Sequence, residues 1–514
     1  MSTKAINKKT GIFNKFLDMI EFVGNKLPHP VTLFVILALA VVVISDIAAR
    51  AGIVVEFERI VDGIPENVTV EAISLLTVEG IRRIFSEAVS NFTGFPPLGT
   101  VLVAMLGVGV AEGTGLIQAA LRKLVLVTPK RFITLVVVFA GIMSNVASDA
   151  GYVVLVPLGA LVFLSFKRHP IAGLAAAFAG VSGGFSANLV IGTLDPLLGG
   201  ITMSAADMYS PGYVVDPTAN WYFMIVSTFV IMIIGTLVTE KIVEPRLGEY
   251  NGDSSVSIEK ITDKETRGLI WAAISGLLFV ASIAALVVPA NGILRDDAGK
   301  ILGNTPFMNG LVPIIALAFL IPGIVYGIVA GTVKNDKDVA NHMGKAMSTM
   351  GGYLVLSFVM AQFVSYFSWT NLGTILAVKG ADVLQISGLT GIGMLIGFIL
   401  VSGFINLFIG SASAKWAIMA PIFVPMLMRL GYSPEFTQLA YRIGDSTTNI
   451  ISPLMAYFAV IVAFAQKYDK KTGIGTLIST MIPYSLFFMI GWVILFILWF
   501  FVGLPIGPGV FIRL

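Results

Sequence analysis

Residues 132–166 read FITLVVVFAGIMSNVASDAGYVVLVPLGALVFLSF. A helix that crosses a hydrocarbon core of about 30 Å takes roughly 20 apolar residues. Here residues 132–143 and 152–166 each fall short of that length, and the polar stretch SNVASDAG stands between them. Arg122, Lys123, Lys130 and Arg131 precede the segment, and Lys167, Arg168 and His169 follow it. A single crossing would put these basic clusters on opposite faces, against the tendency of Lys and Arg in short loops to stay cytoplasmic. Two half-helices that return to the face they left keep both clusters inside and hold the polar tip within protein rather than lipid. The stretch therefore predicts a re-entrant hairpin over 132–166.

The rest of the chain fits a membrane. Of 514 residues, 56% are apolar and only 12% charged, whereas a soluble globule needs roughly a quarter charged to cover its surface. The apolar runs are too long for a β-barrel, whose strands would alternate over about ten residues. A net charge of +3 gives no reason to expect a nucleic-acid partner, and the absence of cysteine removes thiol and disulfide chemistry. The amino end is basic and polar for about 30 residues, which fits a cleaved signal peptide poorly; residues 31–50 are read as a retained span.

Basic residues then set the expected topology. Lys4, Lys8, Lys9, Lys15 and Lys26 place the amino end inside. Spans follow at 31–50, 95–121, 170–199, 220–240, 269–289, 309–333 and 346–368, with Lys241, Arg246, Lys260, Lys264 and Arg267 in one inside loop and Lys334, Lys337 and Lys345 in another. Arg295 and Lys300 are exceptions, in an outside loop that also holds Asp296 and Asp297. Residues 390–430 repeat the opening pattern: two apolar runs flank GSASAKW at 410–416. A second hairpin there, entering from outside, lets 436–464 run inward to Lys467, Lys470 and Lys471, and a last span at 482–503 puts the carboxyl end outside. The expectation is an all-α polytopic protein of about nine transmembrane helices and two opposed re-entrant hairpins, one integral membrane domain over 1–514.

Each hairpin precedes an interrupted span: GGFSANLVIGTLDPLLGG at 183–200 within 170–199, and IGDSTTNIISPLMAYF at 443–458 within 436–464. Broken polar segments in corresponding, oppositely oriented halves mark an inverted-repeat secondary transporter, because unwound backbone offers carbonyls to a cation and amides to a carboxylate. Asn145, Ser148, Asp149, Asn188, Thr193 and Asp195 supply oxygens in the first half, and Ser413, Asp445, Thr447, Thr448 and Asn449 in the second. Such a set suits a hard monovalent cation, although oxygens also serve ordinary interhelical hydrogen bonds.

Arg442 and Asp445 share a face if their segment is helical. They form either a pair that neutralises itself or a site in which Arg442 receives a substrate carboxylate and Asp445 handles an ion or proton. Lys415 either snorkels to the hairpin edge or touches substrate. Trp416 is either an interface anchor or a stacking platform. Glu79 and Glu112 are lesser candidates. The three histidines, His29, His169 and His342, have no metal-ligand spacing, so no transition-metal site is expected. No Walker A or GxGxxG motif is present, which argues against a nucleotide as driving force.

Several long stretches in the same order resemble the AbgT family of p-aminobenzoyl-glutamate transporters: HPVTLF at 29–34, GFPPLGTVLVAMLGVGVAEGTGL at 94–116, SNVASDAGYVVLVPLGA at 144–160, GFSANLVIGTLDPLLGG at 184–200, SASAKWAIMAPIFVPM at 411–426 and YRIGDSTTNIISPLMAYF at 441–458. The resemblance implies a homodimeric, multi-pass inner-membrane transporter rather than an enzyme. It implies cation-coupled uptake of p-aminobenzoyl-glutamate, a folate breakdown product, or efflux of p-aminobenzoate-like antimetabolites including sulfonamides. The coupling ion would be sodium or a proton, without other cofactor. Carried over by motif, the substrate positions are Ser413, Trp416, Arg442, Asp445, Pro453 and Asp195. The ion positions read from the residues themselves are Asn145, Asp149, Asn188, Asp195, Asp445 and Asn449, and the motif match is consistent with Asn188 and Asn449. A dicarboxylate/sodium symporter of related architecture is the nearest alternative reading, and a passive channel is the next.

Overall fold

The structure, a computed structural model, describes residues 28, 30–61, 64–147, 150–250, 261–301, 305–386, 388, 391–453, 455 and 457–514. After α1 (Pro30–Arg50) the chain forms an antiparallel hairpin of β1 (Val54–Val61) and β2 (Ile64–Glu71), with Val54 opposite Glu71. Then come α2 (Val78–Ser86), α3 (Ala88–Thr93), α4 (Pro96–Gly113), α5 (Leu116–Leu126), α6 (Ile133–Ser144), α7 (Ala150–Ser165), α8 (Pro170–Phe178) and α9 (Leu194–Asp207). Helix α10 (Trp221–Val238) runs through a π-helical turn into α11 (Glu244–Leu247). The chain continues through α12 (Asp263–Val287), α13 (Pro306–Asn309), α14 (Leu311–Ala330), α15 (Asp336–Thr349), α16 (Gly351–Trp369) and α17 (Leu372–Ile386). It ends with α18 (Gly391–Asn406), α19 (Ala412–Arg429), α20 (Pro434–Asn449), α21 (Phe458–Gln466) and α22 (Ile474–Val502).

Among the described residues, seven helical stretches are long and apolar enough to cross a membrane: α1, α4, α10 with α11, α12, α14, α16 and α22. Their exposed side chains are those lipid would cover, such as Leu39, Ile47, Leu277, Leu278 and Phe501. Three details differ from the sequence reading. The span expected to run to residue 121 stops at Gly113, because Gly115 adopts φ +89° and turns the chain into α5. Helices α5 and 130–144 are bent by 116° about the Thr128–Pro129 region. Residues 372–386, to which the sequence reading assigns no element, form α17, and 54–61 with 64–71 form the small sheet.

The ends of 132–166 meet. Arg168, just after α7, donates to Thr134 in the first turn of α6 at 2.7 Å, and Thr134 donates to Glu240 at 2.7 Å. Arg168 also pairs with Glu244, while Arg122 pairs with Glu265. His169 packs on Tyr250, and Tyr250 on Tyr468. Residues 122, 134, 168, 240–250, 265 and 468 thus share one face of the molecule. The opposite end is tied separately: Tyr222 N–H donates to Ile506, Ser433 to Phe511, and Asn371 to Glu71.

Small residues let the inner helices touch backbone to backbone. A Cβ at Gly141 of α6 would stand 2.8 Å from the Ala177 carbonyl oxygen, and one at Gly323 of α14 would stand 2.9 Å from the Ala111 Cα of α4. A Cβ at Gly444 of α20 would strike the Ile399 carbonyl of α18.

Candidate functional site

The two interrupted segments are shaped by their own residues. Helix α8 starts at His169, whose Nδ1 accepts from Ile171 N–H, with Pro170 in the first turn. It loosens into a π-helical turn at 179–183 and unwinds over 184–193. There Asn188 Oδ1 accepts from Val190 N–H, and Asp195 Oδ2 accepts from Gly192 N–H at 2.7 Å. Helix α20 starts at Ser433 and Pro434 and stops at Asn449, and Pro453 lies between it and α21.

Each polar tip sits against a break. Asn145, in the turn after α6, donates to the Gly184 carbonyl at 3.4 Å. Asn406, at the end of α18, donates to the Asp445 carbonyl, to Thr448 Oγ1 and to Asn449 Oδ1 at 2.7–2.9 Å, and Ser452 donates to the Asn406 carbonyl. The halves then meet each other. Tyr152 of α7 stacks on Tyr457 with centroids 4.9 Å apart, and Phe178 of α8 packs on Phe458 of α21.

Four buried charges lie at this junction, and their pairing departs from the sequence reading. Arg442 does not neutralise Asp445 three residues away. Its Nη2 lies 2.7 Å from Asp195 Oδ1, across the two halves. This contact is an ion pair rather than an aligned hydrogen bond, and Arg442 Nε has no hydrogen-bond partner among the described residues. Asp445 instead receives Lys415, whose Nζ lies 2.5 Å from Asp445 Oδ1 and from Asn406 Oδ1. Lys415 is 0% exposed, so it does not snorkel. Breaking a buried pair of this kind costs about 3–5 kcal/mol, since the remaining charge is left uncompensated.

Trp416 is also fully buried and is no interface anchor. It stacks on Tyr441 at 4.4 Å and 26°, and its Nε1–H donates to Thr202 Oγ1 at 2.9 Å. From Thr202 a polar chain leads toward the 506–513 end: Thr202 to Gln438 Oε1, Gln438 to Asn220 Oδ1, Asn220 to the Glu435 carbonyl, and Tyr213 to Glu435 Oε2. In the 208–220 loop, burial raises the Asp216 carboxyl, and burial followed by Glu435 raises the Tyr213 hydroxyl, so each ionises less readily than in water. A cavity of about 530 Å³ opens beside Tyr213, lined among others by Asn91, Asp207, Ser365 and Trp369.

The structure therefore gathers Asp195, Trp416, Arg442, Asp445 and Asn449 at one locus. Asn145 and Asn188 flank the first break nearby, both directed at the Ile142 carbonyl. Ser413 is half-buried in the first turn of α19, with its hydroxyl 3.4 Å from that of Ser411. Pro453 is half-buried in the second break. Asp149 and Ser148 lie outside the described residues. Glu79 and Glu112 lie on α2 and in the last turn of α4. Sequence reasoning misses Asn406, Thr202, Gln438 and Glu435. The signal for Asn406 was a lone amide closing an apolar run, and for Gln438 it was polarity within a segment assigned to the membrane, with Glu435 one residue before that segment.

Residues 15–514 match the model of the AbgT putative transporter family. The p-aminobenzoyl-glutamate transport protein of Escherichia coli strain K12 is 41% identical over 500 residues, which is 97% of each chain. The crystal structure of the YdaH transporter of Alcanivorax borkumensis superposes with a TM-score of 0.87 at 45% identity, covering 94% of this chain and 100% of that one. MtrF of Neisseria gonorrhoeae, described within a class of antimetabolite efflux pumps, superposes at 0.91 with 52% identity over 96% and 100%. These relatives are transporters rather than enzymes, and this chain belongs to the AbgT transporter family.

Proposed function

We propose that this chain is a cation-coupled secondary transporter of the bacterial inner membrane that carries p-aminobenzoyl-glutamate or related p-aminobenzoate-like carboxylates, antimetabolites among them. The observation that carries the reading is Arg442. Its guanidinium holds Asp195 through one amine and keeps Nε–H without a partner among the described residues, next to the residues that hold Trp416 and Tyr441. A substrate carboxylate would share or replace Asp195 on that planar fork, as a carboxylate best satisfies a guanidinium bidentately. Trp416 would offer the ring platform, Ser413 a hydroxyl at the hairpin mouth, and Pro453 the break that keeps carbonyls unwound.

In this conformation Trp416 is covered, so ligand access requires the hairpin tip at 407–415 to shift against α20. The coupling cation would use the oxygens of Asp445, Asn406 and Asn449, with Asn145, Asn188 and Asp195 around the first break. We read the chain as nine crossings and two opposed hairpins, inverted repeats of each other, assembled as a homodimer. The face bearing 122, 168 and 265 would be cytoplasmic.

A second reading, an aliphatic dicarboxylate/sodium symporter, draws on the fact that Arg442 serves any carboxylate while the Trp416 ring is already stacked. Purified protein in liposomes separates these readings. Labelled p-aminobenzoyl-glutamate should show saturable uptake and counterflow under a sodium or pH gradient imposed singly, with weak competition by succinate or citrate. Strong competition by those acids would favour the second reading. Flux without saturation or counterflow would make the protein a channel.

A further inference from the structure

The ammonium of Lys415 touches two oxygens of a set arranged for a positive charge. Asp445 Oδ1 and Asn406 Oδ1 are its acceptors at 2.5 Å, and the Tyr441 ring centroid lies 5.2 Å away. The surrounding oxygens are held in place by amides. Asn449 Oδ1 and Thr448 Oγ1 accept from Asn406 Nδ2, and Asp445 Oδ2 accepts from Asn449 Nδ2 at 3.3 Å. A hard monovalent cation wants the same donors: one carboxylate, side-chain carbonyls and a hydroxyl.

We infer that Lys415 is a tethered stand-in for the coupling cation, occupying the Asp445–Asn406 oxygens in this conformation and leaving them when a free cation binds. The inference rests on the cation-coupled reading of this site and adds a mechanism to it. A buried carboxylate is very costly without a positive partner. Exchange of one cation for another keeps Asp445 compensated at every stage, which a simple vacancy would not.

The exchange also moves structure. Lys415 belongs to the first turn of α19, where its N–H donates to the Ser411 carbonyl, and Asp445 belongs to α20. Releasing the ammonium cuts the charged link between hairpin tip and broken helix. Trp416 is the next residue on the tip, so the same release frees the ring that covers Tyr441. Cation binding would thereby favour opening of the carboxylate site at Arg442, and the two ligands would bind with positive cooperativity.

The test uses the full chain in sodium-free N-methylglucamine medium at fixed pH. Thermal unfolding is followed as sodium chloride is added, with N-methylglucamine chloride as the ionic-strength control, since a ligand that binds only the folded state raises its melting temperature. Lys415→Met should shift the half-saturating sodium concentration down by about tenfold or more relative to the unchanged chain, within the usual range for coupled sites. Asp445→Asn should abolish the response. Reductive methylation of Lys415, read by mass spectrometry in the unchanged chain, should rise with sodium; it decides the matter even if Lys415→Met does not assemble. Equal midpoints in the unchanged chain and Lys415→Met, or methylation indifferent to sodium, would overturn the inference and leave the cation site at Asp445 standing. No sodium response in any form, with transport driven by a pH gradient alone, would remove that cation site and the inference with it.

Discussion

Arg442 divides its guanidinium between Asp195, from the other half of the chain, and a direction with no partner among the described residues, which fixes what its replacement should do. Lys keeps the charge at Asp195 but lacks the fork. Arg442→Lys should therefore weaken p-aminobenzoyl-glutamate binding by roughly ten- to a hundredfold, the loss of one charge-assisted hydrogen bond, in equilibrium binding to purified protein. His169 gives a pH effect whose sign is set by its environment. Burial, opposed by Glu244 and Asp469, lowers its pKa from the ordinary 6.5, and its Nδ1 must stay unprotonated to cap α8. The unfolded chain then binds the proton more readily, so stability should fall as pH drops below about 6.5 toward the lower folded value. His169→Asn keeps a capping oxygen that does not titrate, and its melting temperature should vary less over that window. At this scale the sequence shows which side chains are too polar for their surroundings, and Asp195, Arg442 and Asp445 were legible in that way, while Trp416 was singled out as an aromatic beside them. Their partners were not. Arg442 meets Asp195 and Lys415 meets Asp445 only through the crossing of α9, α19 and α20, and local spacing suggested the wrong neighbour for Arg442.

Elements were legible where length and punctuation agreed. The glycines and prolines of 183–200 and 443–458 stand where α8 ends short of α9 and α20 short of α21, and the short apolar runs of 132–166 hold α6 and α7, whose outer ends meet at Thr134 and Arg168. Helix α17 was hidden because its fifteen residues carry Lys379 and Asp382 and are too short for a span. The β1–β2 hairpin was hidden because run length and basic residues report membrane crossings and carry no signal for strands in a loop between them. Close packing of α18 on α20 was also invisible, yet it positions Asn406 over Asp445 and Asn449. Gly444→Ala should push the two helices apart, because the new methyl would meet the Ile399 carbonyl and stand 2.8 Å from Ser402 Cβ. The expected cost is about 1–3 kcal/mol of stability, with sodium and ligand binding weakened together. Gly393→Ala, on α18 with nothing within 4 Å of the added carbon, is the control and should be neutral in both measurements.

For the whole molecule, the ion pairs of Arg122 with Glu265 and of Arg168 with Glu244 bind loops far apart in sequence onto one face, while Tyr213, Asn371 and Ile506 mark the other. The chain has no cysteine, so single cysteines report sidedness directly. Lys130→Cys and Lys167→Cys, both exposed, should react with an impermeant maleimide from the same side of intact membranes, and Val214→Cys from the opposite side. Labelling of the first two from different sides would exclude the hairpin between them. The paired charges at the core have a further consequence at this scale. Arg442 with Asp195 and Lys415 with Asp445 sum to zero, so a substrate-free core that swings across the membrane carries no net charge from these four groups through the electric field. A membrane potential, worth about 2.3 kcal/mol per elementary charge per 100 mV, would then act on the loaded step alone, and voltage would govern how fast cargo crosses while leaving the empty return untouched.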